Sequence, residues 1–167
     1  MKKVTILATI ITTIWVGVLI WCITLGIKFD QNCSGYLQQA ADANTIELAI
    51  DRLDKAIEYA EEKGYTDGYT SILWKTENEN VGFWYQNLKS SRIELEEALD
   101  ANQMEQTNVL MKLRETLLDV GEKGTIITYP TGLYIYPYNL EFSILLWFIN
   151  LLVIGIWIYW VFKYMNY

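Results

Sequence analysis

The chain reads as an all-α membrane protein: two transmembrane helices flank a small extracytoplasmic bundle of about three helices, with a short β-hairpin before the second span. Three observations predict this. Two long uncharged apolar runs lie near the two ends, and all 20 acidic residues lie between Asp30 and Glu141. Between the runs, three helix-start signatures are each followed by apolar residues at helical spacing. This segregation explains how a chain that is 52% hydrophobic still carries a net charge of −7.

Val4 to Ile27 holds 24 residues without a charge, bracketed by Lys2, Lys3 and Lys28. At about 1.5 Å per residue, such a helix exceeds the roughly 30 Å hydrocarbon core of a bilayer. A cleaved signal peptide is the main competitor. The run is longer than an h-region of about 7–15 residues, no small-x-small site closes it, and Trp21 stands where a lipoprotein signal before Cys22 would need a small residue. Phe142 to Phe162 is a second uncharged run, of 21 residues, ending at Lys163. A core helix of a soluble protein is rarely apolar on every face for this length.

Residues 1–3 are therefore expected as a cytoplasmic N-terminus, 4–27 and 142–162 as spans, 28–141 as the outward domain, and 163–167 as a cytoplasmic C-terminus. Lys2, Lys3 and Lys163 lie on the terminal side and Lys28 alone on the loop side, so the positive-inside rule places both termini in the cytoplasm. A bacterial inner (plasma) membrane is the expected location, with the acidic domain periplasmic or extracellular. Tyr134, Tyr136 and Tyr138 before the second run, and Tyr159, Trp160, Tyr164 and Tyr167 at its end, fit interfacial aromatic belts.

Within the middle segment, Asn44-Thr-Ile-Glu47, Thr76-Glu-Asn-Glu79 and Asn102-Gln-Met-Glu105 each place a side-chain acceptor three residues before a Glu, the arrangement of a capping box. The stripes that follow predict helices over about 45–63, 77–101 and 103–120, with Gly64 and Gly121 as stops. Whether the last two form one rod across Asp100 to Gln103 stays open. Helical continuity from the first span through Phe29 to Ala43 would add a fourth element. Tyr65 to Trp74 predicts a turn and a short strand, and Thr125 to Pro137 two extended segments around Tyr129-Pro-Thr-Gly132.

The chain contains no histidine, which removes Ser-His and Cys-His catalysis and the common zinc sites. Cys22 and Cys33 would stand roughly 16 Å apart on a continuous helix, too far for a disulfide. Cys33 is read as a buried thiol, a bridge to a second copy being the alternative. Asn32-Cys-Ser34 matches the glycosylation triplet, which matters only in a eukaryotic secretory setting. Acidic clusters such as Glu94, Glu96 and Glu97 read as a solvated face. No phosphate loop, nucleophile elbow or CxxC pair occurs. No enzyme, no cofactor and no metal site is expected. Thirteen bases among 20 acids make no phosphate-binding patch, so nucleic acid is not an expected partner.

Two groups of residues remain as interaction candidates. Trp74, Phe83, Trp84 and Tyr85, together with Tyr65 and Tyr69, gather near one inter-helix connection, where they either close the apolar end of the bundle or contact a partner; Trp84 is the best core candidate. Inside the spans, Thr5, Thr9, Thr12, Thr13 and Gly17 form a small, polar stripe and Asn150 is the polar exception of the second run. Both suit close packing between helices in lipid. The leading expectation is a non-enzymatic subunit or scaffold that forms a homo-oligomer or joins other proteins of the lipid bilayer. The alternatives are an accessory sensor binding a small-molecule ligand at the aromatics, and an oligomeric channel lined by Asn150.

Overall fold

An unbroken helical rod carries the chain from its first apolar run into its folded part. The computed structural model describes residues 2–121 and 124–165. Helix α1, Lys2–Phe29, passes through a π-helical stretch, Asp30–Ser34, directly into α2, Gly35–Ala41. The wider π turn is closed by the Gly35 amide donating to the Asp30 carbonyl. A Cβ on Gly35 would stand 2.7 Å from that same oxygen, so glycine permits the close approach. Phe29, Cys33 and Leu37 thereby recur every four residues on one buried side. No break occurs at residue 27, where the span was expected to end.

Helix α3, Ile46–Glu62, buries Ile46, Ala49, Leu53, Ala56, Ile57 and Ala60 against α2 and against α4, Val81–Glu97. It ends in a Schellman motif: Gly64, at φ +72°, donates to the Glu61 carbonyl and Tyr65 donates to Ala60. Helix α5, Gln103–Leu117, packs on α2 and α4. Its Gln106 side chain donates to the carbonyls of Ala98 and Leu99, satisfying the frayed end of α4. Strand β1, Leu118–Gly121, pairs antiparallel with β2, Gly124–Ile127, in the register Leu118 opposite Ile127 and Val120 opposite Thr125. A 3-10 turn, Leu133–Ile135, leads to α6, Asn139–Met165.

Among the described residues, the structure is mostly helical (76%) with one two-stranded sheet and two helices apolar and long enough to cross a membrane. The helical bundle and the fourth helical element, α2, agree with the sequence pattern. Several boundaries differ. The first cap is Thr45, whose hydroxyl accepts the Leu48 amide, rather than Asn44. Thr76 instead bonds Glu79 and opens a 3-10 turn, Glu77–Glu79. The helix proper starts at Asn80, which accepts the Phe83 amide. Asn102 caps α5 as read, accepting the Glu105 amide, and the chain breaks between α4 and α5. The hairpin lies earlier than Thr125–Pro137. Leu118–Gly121 takes extended backbone where continued helix was expected, pairing with the β-branched Thr125–Ile127 stretch of β2, and Tyr129 to Gly132 forms a turn rather than a hairpin tip. Tyr65 to Trp74 contributes only one isolated bridge, Tyr69 to Asn80.

Helices α1 and α6 touch each other. Half-buried Ile11, Trp15, Val18, Cys22 and Leu25 face one way on α1, and on α6 buried Phe142 and Ile149 with half-buried Leu146, Val153 and Ile156. The Trp21 and Phe142 rings lie 5.9 Å apart. Otherwise these helices are bare: none of the apolar window of α1 and 6% of that of α6 is buried.

Candidate functional site

The junction between rod and bundle is an aromatic cluster built on Phe29. Its ring meets Tyr129 at 4.9 Å, Tyr65 at 6.3 Å and Tyr59 at 6.5 Å, and Tyr65 meets Tyr136 at 6.2 Å. Such tilted and edge-on pairs each add about 0.5–1.5 kcal/mol beyond burial. Burial pushes the phenols of Tyr59, Tyr65, Tyr129 and Tyr136 up from the ordinary range. Tyr136 donates its hydroxyl to the Asp67 carbonyl, fastening the α3–α4 loop to the approach to α6. Sequence pattern singled out Tyr65 and Tyr136 in separate groups but did not join them to Phe29, Tyr59 and Tyr129, because the members come from four separate segments and obey no spacing rule.

Trp74, Phe83, Trp84 and Tyr85 do not form one cage. Trp84 is 7% exposed and donates Nε1 to the Thr128 carbonyl at 3.2 Å. Phe83, one residue away on α4, is 59% exposed. Both line a groove of about 380 Å³ between the head of α4, the end of α5 and β2. Asn78, Asn87, Glu77 and Asp119 supply its polar groups, with Leu88 and Leu117 among its apolar ones. Neutral amides, two carboxylates and an indole suit an uncharged polar or cationic small molecule.

Tyr85 points elsewhere: its hydroxyl donates to Glu61 of α3, and Lys89 donates to the same carboxylate at 3.3 Å. The shared bond pushes the Tyr85 phenol up to about 12 and holds the Glu61 carboxyl below its usual range. Trp74 lies in the α3–α4 loop, 77% exposed, beside a second cleft of about 450 Å³ at the head of α6.

Within the apolar helices, Thr9, Thr13 and Gly17 are exposed on α1, turned outward to the surroundings. Thr12 and Thr13 donate their hydroxyls to the carbonyls of Ala8 and Thr9, which silences them as polar groups. A Cβ on Gly17 would meet nothing within 4 Å. The side chains of Thr5, Lys2, Lys3 and Tyr164, and residue Tyr167, lie outside the described residues. Asn150 is exposed in the middle of α6 and makes no side-chain hydrogen bond among the described residues.

Cys33 is buried, its thiol facing the Ala56 carbonyl at 4.0 Å and pushed up to about 12 by burial. Among the described residues, no three acidic or sulfur side chains assemble as metal ligands. No family model, curated protein or solved structure matches the chain.

Proposed function

We propose that this chain is a two-span integral membrane protein, non-enzymatic, that works as a subunit or scaffold and assembles with itself or with a larger membrane complex through its spans. The observation that carries the reading is Asn150. An amide in hydrocarbon without a partner is costly, and a second helix that hydrogen-bonds it removes the cost. Both apolar helices keep most of their surface free for such contacts. The Thr9, Thr13 and Gly17 face of α1 offers a small-residue surface for close approach.

Lys163 supports the membrane placement. Its ammonium lies over the rings of Tyr159 and Trp160, at 5.9 and 5.8 Å, as basic and aromatic residues gather at a lipid–water boundary. Both termini are then cytoplasmic and the acidic bundle faces the periplasm or the exterior.

The deciding experiment is mass determination of the full chain purified in mild detergent. Assembly predicts a mass above the monomer, or a stoichiometric co-purifying membrane protein, and loss of either in Asn150→Leu. A wild-type monomer without a companion overturns the proposal. A ligand-sensing role has one specific observation in its favour, the groove carrying Phe83 and Trp84. Saturable stabilisation of the detergent-purified chain by a small molecule, lost in Phe83→Ala, distinguishes it from a scaffold.

A further inference from the structure

The cleft beside Trp74 collects an unusual set of polar atoms. Thr70 Oγ1, Ser71 Oγ and Asn139 Oδ1 are each buried and have no hydrogen-bond partner among the described residues. All three residues line this one cleft. Thr70 is only 4% exposed. Buried polar atoms without partners are rare and costly, and three in one place point to a ligand that bonds them. The Asn139 amide is oriented by its Nδ2, which donates to the Gly132 carbonyl at 2.9 Å, leaving Oδ1 as an acceptor.

The lining also states what kind of ligand fits. Glu79 contributes a carboxylate, and among the described residues no Lys or Arg lines the cleft. The neighbouring Lys75 holds its ammonium over the Tyr69 ring, at 5.1 Å. Acceptors therefore dominate and an anion is disfavoured. The opposite side is apolar: Ile72, Leu73 and Trp74 form an exposed lip, Leu73 and Trp74 at 77% each. Phe142 continues the wall down α6 toward exposed Ile144 and Trp147. A polar seat joined to a bare apolar helix matches an amphiphile.

We infer that the cleft between Thr70–Trp74 and the head of α6 seats the headgroup of a membrane lipid that donates hydrogen bonds and carries no net negative charge, through an ammonium or glycosyl hydroxyls. Its acyl chains run along α6, and the Ile72–Trp74 lip enters the same leaflet. This rests on the membrane reading above. The lipid supplies the donors that Asn139 Oδ1 and Glu79 accept, and the Thr70 and Ser71 hydroxyls complete the shell.

The test uses full-length protein reconstituted in nanodiscs with equal parts of phosphatidylethanolamine, a monoglycosyl diacylglycerol, phosphatidylcholine and phosphatidylglycerol. Lipid retained after transfer to detergent is measured by mass spectrometry. One of the first two lipids should be enriched about fivefold over phosphatidylcholine, which lacks donors on its headgroup. The Thr70→Val, Ser71→Ala double variant should lose the enrichment without a lower melting temperature, because it removes hydroxyls that bond nothing in the protein. Glu79→Gln should reduce retention of phosphatidylethanolamine and raise that of phosphatidylglycerol. Equal retention of all four lipids, preference for phosphatidylglycerol in the wild type, or unchanged enrichment in the double variant overturns the inference. Flotation with phosphatidylcholine vesicles separates the two claims. A protein that fails to float removes the membrane reading itself, whereas one that floats without headgroup preference removes only the cleft.

Discussion

Trp84 and Thr128 tie two distant stretches of the chain together: the α4 indole donates to a carbonyl just past β2, at 3.2 Å. This bond and the buried ring, together with Leu118 and Ile127 packed against the core, hold β1 and β2 on the bundle. Trp84→Phe keeps an aromatic ring but leaves the carbonyl without its donor. A loss of about 1 kcal/mol is expected, against about 3–5 kcal/mol for Trp84→Ala. Denaturant unfolding of the detergent-solubilised chain, followed by circular dichroism, measures both. An unchanged stability in Trp84→Phe would mean that the indole N–H contributes nothing, and equal losses in the two variants would mean that the buried ring adds nothing beyond that bond.

Gly35 sets two effects against each other. Alanine is the better helix former by about 1 kcal/mol, but its Cβ would lie 2.7 Å from the Asp30 carbonyl, and forcing extra volume into packed structure costs about 1–3 kcal/mol. Gly35→Ala should therefore destabilise by about 1 kcal/mol and speed amide exchange across Asp30–Ser34. Gly26→Ala, where a Cβ meets nothing within 4 Å, is the control and should be neutral or mildly stabilising.

Cys33 should resist a water-soluble maleimide in the folded protein and react only after unfolding, since reactivity follows thiolate content and access. The thiol ionises near 12 when folded, against roughly 8.5 in an open chain. The unfolded state thus loses its proton first, so stability is constant below the ordinary value and declines as pH rises toward 12. Cys33→Ala should flatten part of that alkaline slope.

The Tyr85–Glu61 pair should weaken at both ends of the pH scale. Tyr85 is raised to about 12, so its share of stability is present below about 10 and is lost as pH climbs through 12. Glu61 is lowered, so its share is present above about 4.3 and disappears as pH falls through the folded value. Both groups face solvent and each share is small, a few tenths of a kcal/mol. Tyr85→Phe should remove the alkaline component and shrink the acidic one in pH-resolved thermal melts.

What sequence made legible follows from how locally each feature is encoded. The apolar helices and α3 announce themselves through composition and period, and Asn102 through a cap that needs only its own next three residues. The cap at Asn80 was hidden by a competing signal at Thr76, whose hydroxyl does engage Glu79 but in a 3-10 turn. The hairpin at Leu118 was missed because Val109 to Val120 keeps an apolar stripe that reads equally as helix. Thr70, Ser71 and Asn139 carry no pattern at all. They become notable only when the α3–α4 loop folds against the head of α6, a meeting that tertiary structure alone arranges.

The seamless passage from α1 through the π turn into α2 gives the bundle a post rather than a tether. From Ile27 to Ala41 the rod continues by roughly 20 Å at 1.5 Å per residue, and α3 and α5 are clamped to that extension. α6, by contrast, is reached through the Tyr129–Tyr138 turns and touches α1 along one side. A sideways load on the bundle is then delivered to α1 as a change of lean, and an axial twist of α1 steers the whole headpiece. Anything that grips α1 laterally holds the bundle by its handle.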